Sequence, residues 1–117
     1  MAQSKAAADL ARKSCKACRG EVSRLDDSKV REYLAQLPGW TLAGNEIART
    51  YAFKNYYETM AFVNATAWVS HHEDHHPDLE VGYNKCKVRY STHSVGGLSE
   101  YDFICAAKID DLLTKAE

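Results

Sequence analysis

The chain carries five histidines, and His71, His72, His75, His76 and His93 all fall in one quarter of it. Histidine is the side chain whose unperturbed pKa, ~6.5, lets it give or take a proton near neutral pH. Four of the histidines crowd into positions 71–76, interrupted only by Glu73 and Asp74 and closed by Pro77. A lone histidine is usually a surface group, so this density raises three readings: proton-transfer catalysis, a metal site, or a solvated helix end.

The metal reading has a literal motif behind it. His72-Glu73-Asp74-His75-His76 matches H-E-x-x-H, in which two histidines one helical turn apart hold zinc and the glutamate activates its water. That arrangement needs a helix continuing through both histidines. Pro77 follows the second one at once and disfavours helical geometry at His76. The Asp78-Leu79-Glu80 that comes next supplies no third ligand of the extended protease pattern. Cys15-Lys16-Ala17-Cys18 is a C-x-x-C, yet Cys86 and Cys105 do not form a second such pair, and no strand precedes Cys15. Its role stays open. Four cysteines without a disulfide framework fit a reducing, cytoplasmic setting.

Elements must hold these side chains in place. Residues 1–24 are polar, lack sustained periodicity and read as a mobile arm, with one domain over 25–117. Asp27 and Ser28 offer helix caps, and Val30, Tyr33, Leu34 and Leu37 then fall at i, i+3, i+4 and i+7, predicting a helix over 28–37 closed by Pro38-Gly39. Strands are predicted at 40–43 and 46–53 around the Gly44-Asn45 turn. Trp40 reads as a core residue, with a place beside the site as the alternative. Asn55 and Glu58 form a capping box for a helix over 56–72 with Tyr57, Met60, Ala61, Asn64, Ala67 and Trp68 on one stripe. Alternation predicts two more strands, at 79–84 and 86–92, joined by a tight turn at Asn84-Lys85. Ser99 can cap a last helix over 99–114, with Tyr101, Cys105, Ile109 and Leu112 on one face. The expected fold is α+β: a single four-stranded antiparallel sheet with three helices packed on one face.

Two segments are recognisable. His75-His76-Pro77-Asp78-Leu79-Glu80-Val81-Gly82-Tyr83-Asn84-Lys85 and Ser91-Thr92-His93-Ser94-Val95-Gly96-Gly97-Leu98-Ser99-Glu100 resemble the signature of the pterin-4a-carbinolamine dehydratase family. Members share a double histidine before proline, an aromatic residue seven to eight positions on, and a histidine after the following strand. His71 fills the place four before the pair, which members give to a charged residue or histidine. The resemblance covers about residues 28–115 and leaves Cys15 and Cys18 outside. It implies a hydro-lyase without metal or organic cofactor, acting as a homodimer or homotetramer on 4a-hydroxytetrahydrobiopterin or a related pterin. Quinonoid dihydropterin and water would be its products.

By the same resemblance, His75 and His93 are the candidates for proton transfer and His76 for holding the substrate. Pro77, Thr92, His93 and Ser94 would line the pterin edge, while Asp102 and His71 would orient the histidines. For Asp102 a plain role as the capping partner of Ser99 is the alternative. All three histidines are expected at loop or strand ends, where substitutions cost within roughly ±0.5 kcal/mol.

Composition excludes little else. A net charge of -1 gives no reason to expect nucleic acid. No apolar run approaches the roughly 18–20 residues of a membrane span, and the first residues lack a secretory pattern. Some members of the family also bind a transcription factor, a role that nothing in this sequence marks. The broken H-E-x-x-H geometry yields the first test: purified protein is predicted to hold no stoichiometric zinc, and chelators to leave its activity unchanged. Elemental analysis finding one zinc per chain, lost together with activity, would restore the hydrolase reading.

Overall fold

The computed structural model describes residues 5–15 and 22–116. Helix α1 (Lys5–Arg12) precedes α2 (Asp27–Leu34), strands β1 (Thr41–Ala43) and β2 (Glu46–Ala52), and the long α3 (Tyr56–Glu73). Strands β3 (Asp78–Val81) and β4 (Lys85–Tyr90), a 3-10 turn (His93–Val95) and α4 (Glu100–Ala116) complete the chain. The strands form one antiparallel sheet in the order β1-β2-β4-β3. This is the α+β sheet that the alternating residues predict.

Register decides which side chains reach the core. Ile47 pairs with Tyr90, Arg49 with Val88 and Tyr51 with Cys86, so these residues share one face. Ile47, Tyr51, Cys86, Val88 and Tyr90 are buried there with Phe103, Ile104 and Ile109 of α4. Thr50, Ala52, Lys85 and Lys87 are exposed on the other face. Each fully buried large apolar side chain contributes about 1.5–3 kcal/mol, so the β2–β4 face and α4 form the centre of stability.

Three local readings are corrected. Helix α2 is capped by Asp26, whose side chain accepts the Lys29 N–H at 2.8 Å, one residue before the expected caps. Helix α3 ends at Glu73, within one residue of the expected 56–72, but it is stopped by Asp74 in a left-handed conformation (φ 55°, ψ 42°) and not by Pro77. The Asp74 N–H bonds the Ser70 carbonyl, and so does the His75 N–H. His76 is thus off the helix, as the proline argument required, though the break comes earlier. The third correction concerns the expected α3 stripe. Tyr57 and Trp68 are 82% and 64% exposed, and Thr59, Phe62, Thr66, Val69 and Glu73 face inward instead. Two threonines on the inner face misled the pattern, but their hydroxyls are satisfied: Thr59 donates to the Tyr83 carbonyl at 3.0 Å and Thr66 to the Val63 carbonyl at 2.7 Å.

Part of the span 1–24, expected as an arm, forms regular structure. Residues 5–12 are the helix α1, packed along α4, and Ala7, Leu10 and Cys15 are buried in the core. An eight-residue helix is marginal alone. Lys108 of α4 donates to the Ala11 carbonyl at 2.6 Å, and buried Glu73 of α3 accepts the Cys15 N–H at 2.8 Å. Cys18 lies outside the described residues.

Trp40 sits in the core, 4% exposed, and donates its indole N–H to Asp110 at 3.0 Å. The same carboxylate accepts from Arg49 at 3.1 Å and from the Tyr51 hydroxyl. Burial raises the Asp110 pKa, and the bonds from Tyr51, Arg49 and Trp40 oppose that rise. Asp110→Ala would strand the Trp40 and Tyr51 donors, so a loss of about 2–4 kcal/mol in urea-denaturation stability is expected. A loss under about 0.5 kcal/mol would show that the network is dispensable.

Candidate active site

Asp102 lies on the first turn of α4 and is fully buried. A carboxylate held away from water needs hydrogen bonds on both oxygens, and here each is used. Oδ1 lies 2.7 Å from Nε2 of His75. Oδ2 accepts the Thr92 hydroxyl at 2.8 Å and the Ser99 backbone N–H at 2.9 Å. Ser99 precedes the helix, so Asp102 completes a capping box and binds His75 at once. The contact with Ser99 that the capping alternative expects and a contact with His75 are thus made by one side chain. Thr92 spends its one hydroxyl proton on Asp102, so the Ser99 hydroxyl, 2.7 Å away, donates to Thr92.

His75 follows the left-handed break at Asp74, and its side chain is only 12% exposed. Its ring stacks on Tyr90 (centroids 5.7 Å apart, planes 13°) and meets the edge of Tyr101 at 5.9 Å. Two aromatic neighbours and a carboxylate leave the imidazole one orientation. With Asp102 ionised, Nε2 carries the hydrogen of their bond, and Nδ1 is left as the nitrogen that can exchange a proton.

His93 opens the 3-10 turn next to Thr92. The turn is closed by Gly96 at φ 66°, and Thr92 and Gly97 bridge its base with a 2.8 Å bond from the Thr92 N–H. Thr92 anchors this loop to Asp102, and His93 and Ser94 are exposed on it. A cleft of about 390 Å³ opens here, lined by Thr92, His93 and Gly97 and by Asn45 and Glu46 of the β1–β2 hairpin. His75, His76 and Pro77 are not among its lining residues.

The predicted residues thus fall into two groups. His75, Thr92 and Asp102 are joined by hydrogen bonds, and His93 and Ser94 follow Thr92 directly. His76 is exposed, with Nδ1 3.2 Å from the Pro77 carbonyl. His71 is exposed on the last turn of α3 and makes no hydrogen bond to His75 or Asp102 among the described residues. Sequence reasoning missed Tyr90 and Tyr101 as the walls around His75. Alternation marked Tyr90 as inward-facing, which was the available signal.

The burial of His75 also overturns its expected mildness to substitution. His75→Ala is now expected to cost about 1–3 kcal/mol, since it leaves a buried carboxylate oxygen unpaired and a gap beside Tyr90. His76→Ala and His93→Ala should stay within about 0.5 kcal/mol. Urea denaturation of the three variants checks the ranking, and equal small losses would contradict the buried geometry.

Comparison with known proteins gives the family of the chain. The family model described as pterin 4 alpha carbinolamine dehydratase matches residues 23–112. A Nitrosospira multiformis protein provisionally named pterin-4-alpha-carbinolamine dehydratase is 60% identical over 104 residues, 89% of this chain and 92% of its own. A Nitrosomonas eutropha protein of the same provisional name is 63% identical over 106 residues, 90% of this chain and 94% of its own. Among solved structures, a transcriptional coactivator/pterin dehydratase from Brucella melitensis superposes with a TM-score of 0.74 at 32% identity, covering 77% of this chain and 98% of that one. A pterin dehydratase-like protein, identified as a RuBisCO assembly factor in the alpha-carboxysome, shares the fold at 24% identity and a TM-score of 0.52. The sequence match across most of the chain and the shared sheet-and-helix architecture agree, and the chain belongs to the pterin 4 alpha carbinolamine dehydratase family.

Proposed function

We propose that this protein removes water from 4a-hydroxytetrahydrobiopterin or a close pterin relative, giving the quinonoid dihydropterin, in tetrahydrobiopterin recycling. The observation that carries this reading is the Asp102 network, which ties His75 and the Thr92–His93 turn to one buried carboxylate. Hydroxide is a poor leaving group, so an acid must protonate the 4a-oxygen while the adjacent ring nitrogen loses its proton. In this proposal His75 and His93 divide those two transfers. Positioned proton transfer of this kind contributes typically ~10²–10⁴-fold. Asp102 stabilises the charged imidazole of His75 and holds its orientation. His76 and Pro77 hold the pterin, with Thr92 and Ser94 at its edge. His71 is exposed, so its part is limited to the site's surroundings.

Assembly as a homodimer or homotetramer belongs to the same proposal. It is supported by the outward stripe of α3, where Tyr57, Ala61 and Trp68 are exposed. A cytoplasmic setting is supported by the free thiols of Cys15, Cys86 and Cys105.

The test is dehydration of enzymatically generated 4a-hydroxytetrahydropterin, compared with its spontaneous loss of water. His75→Ala and His93→Ala should each lose part of the turnover, and the double variant should fall close to the spontaneous rate. His76→Ala should raise KM more than it lowers kcat. A folded double variant that keeps near-wild-type turnover would remove the histidines from the chemistry.

A further inference from the structure

The C-x-x-C motif is unused by the proposed chemistry, and the fold gives its first cysteine a partner that the spacing did not suggest. Cys15 lies just beyond α1, and its Sγ is 3.9 Å from Sγ of Cys105 in the middle of α4. Both are buried, and they stand ninety positions apart in the chain. The geometry points to Cys15 and Cys105 as a site of covalent modification: a hydroperoxide converts the two thiols into a disulfide that fastens the α1 segment to α4.

The approach needed is small. Sulfurs 3.9 Å apart must close to about 2.05 Å, a movement within reach of side-chain rotation and a slight shift of the segment after α1. Cys15 lies three residues beyond the end of α1, at the start of a 3-10 turn, while Cys105 sits within α4. A peroxide is also small enough for a buried pair.

The order of events follows from position. Cys105 is 0% exposed in the middle of α4, and Cys15, 2% exposed, lies beyond the end of α1. Cys15 therefore meets the oxidant. Its thiol loses a proton and its sulfur attacks one peroxide oxygen, breaking the O–O bond. The products are a sulfenic acid on Cys15 and, after protonation of the leaving oxygen, one molecule of water or alcohol. The Cys105 sulfur then attacks the Cys15 sulfur and displaces hydroxide, which leaves as water with the Cys105 proton. Two electrons pass from the two sulfurs to the peroxide, and no other reactant is needed.

The consequence is mechanical. α1 is held to the body by the Lys108–Ala11 and Glu73–Cys15 hydrogen bonds and by buried Ala7 and Leu10. A disulfide would convert this reversible docking into a covalent staple across most of the chain, which constrains the unfolded state as well.

The experiment treats the full-length reduced protein with hydrogen peroxide, blocks remaining thiols with N-ethylmaleimide, digests with trypsin and maps the products by mass spectrometry. Cleavage after Lys13, Lys16 and Arg19 separates Cys15 from Cys18, and Cys105 falls in the peptide 90–108. The expected product is peptide 14–16 joined to 90–108 within one chain, reversed by dithiothreitol and still formed in Cys18→Ser. Its formation should raise the melting temperature of wild type, while peroxide produces no such rise in Cys15→Ser. Cys105→Ala should also lose the cross-link, but the wild-type map decides the matter even where that core variant folds poorly. A bond between 14–16 and 17–19, a bond to Cys86, a cross-link between chains, or oxidation only to sulfinic acids would each overturn the proposal.

Discussion

A carboxylate sealed from water is one of the most expensive groups a small protein can hold, and Asp102 is fully buried. It is tolerable because three donors converge on it from three parts of the chain: His75 after α3, Thr92 after β4, and the Ser99 backbone at the start of α4. The positive end of the α4 dipole adds a favourable field for its negative charge. Each of these elements must therefore end where it does. An α3 one turn longer would carry His75 away, and a slip of β4 by one residue would turn Thr92 outward. The left-handed break at Asp74 is thus part of the same constraint, because it releases His75 from the helix in time to reach the carboxylate.

The core supports this junction from below. Tyr90 is buried on β4, stacked beneath His75, and also meets Trp40 at 6.1 Å. Trp40 in turn is bound to Asp110 of α4, which Arg49 and Tyr51 of β2 also grip. Two carboxylates two turns apart on α4 thus fasten the helix, one to the loops that carry His75 and Thr92 and one to the sheet. The polar groups are positioned by apolar packing, and the packing is aligned by the polar groups.

Much of this was legible in the residues. Strict alternation in 86–90 gave a strand with the correct inward face, and the Gly44-Asn45 turn gave its hairpin. Asn55 and Glu58 marked the start of α3, with Glu58 N–H bonded to Asn55 at 2.9 Å. The joining of His75, Thr92 and Asp102 was not derivable from spacing, since it depends on tertiary contact. What failed did so for physical reasons. Helix α3 is apolar on two sides, and Thr59 and Thr66 look like surface residues until their hydroxyls find backbone carbonyls. Helix α1 is short enough that only its docking makes it a helix, although Ala7, Leu10 and Ala11 at i, i+3 and i+4 were a readable trace. Asp26 and Asp27 are both competent caps, and only geometry separates them.

The two tryptophans stand in opposite surroundings, and this makes the molecule its own optical probe. Trp40 is buried against Tyr51 and Tyr90, so its fluorescence follows the integrity of the interior. Trp68 is largely exposed and lies flat on His72, with centroids 5.1 Å apart and planes 6° from parallel. The emission of an exposed indole lies to the red of a buried one, so one band reads the integrity of the interior and the other reads the stack at the helix end that leads into the histidine cluster.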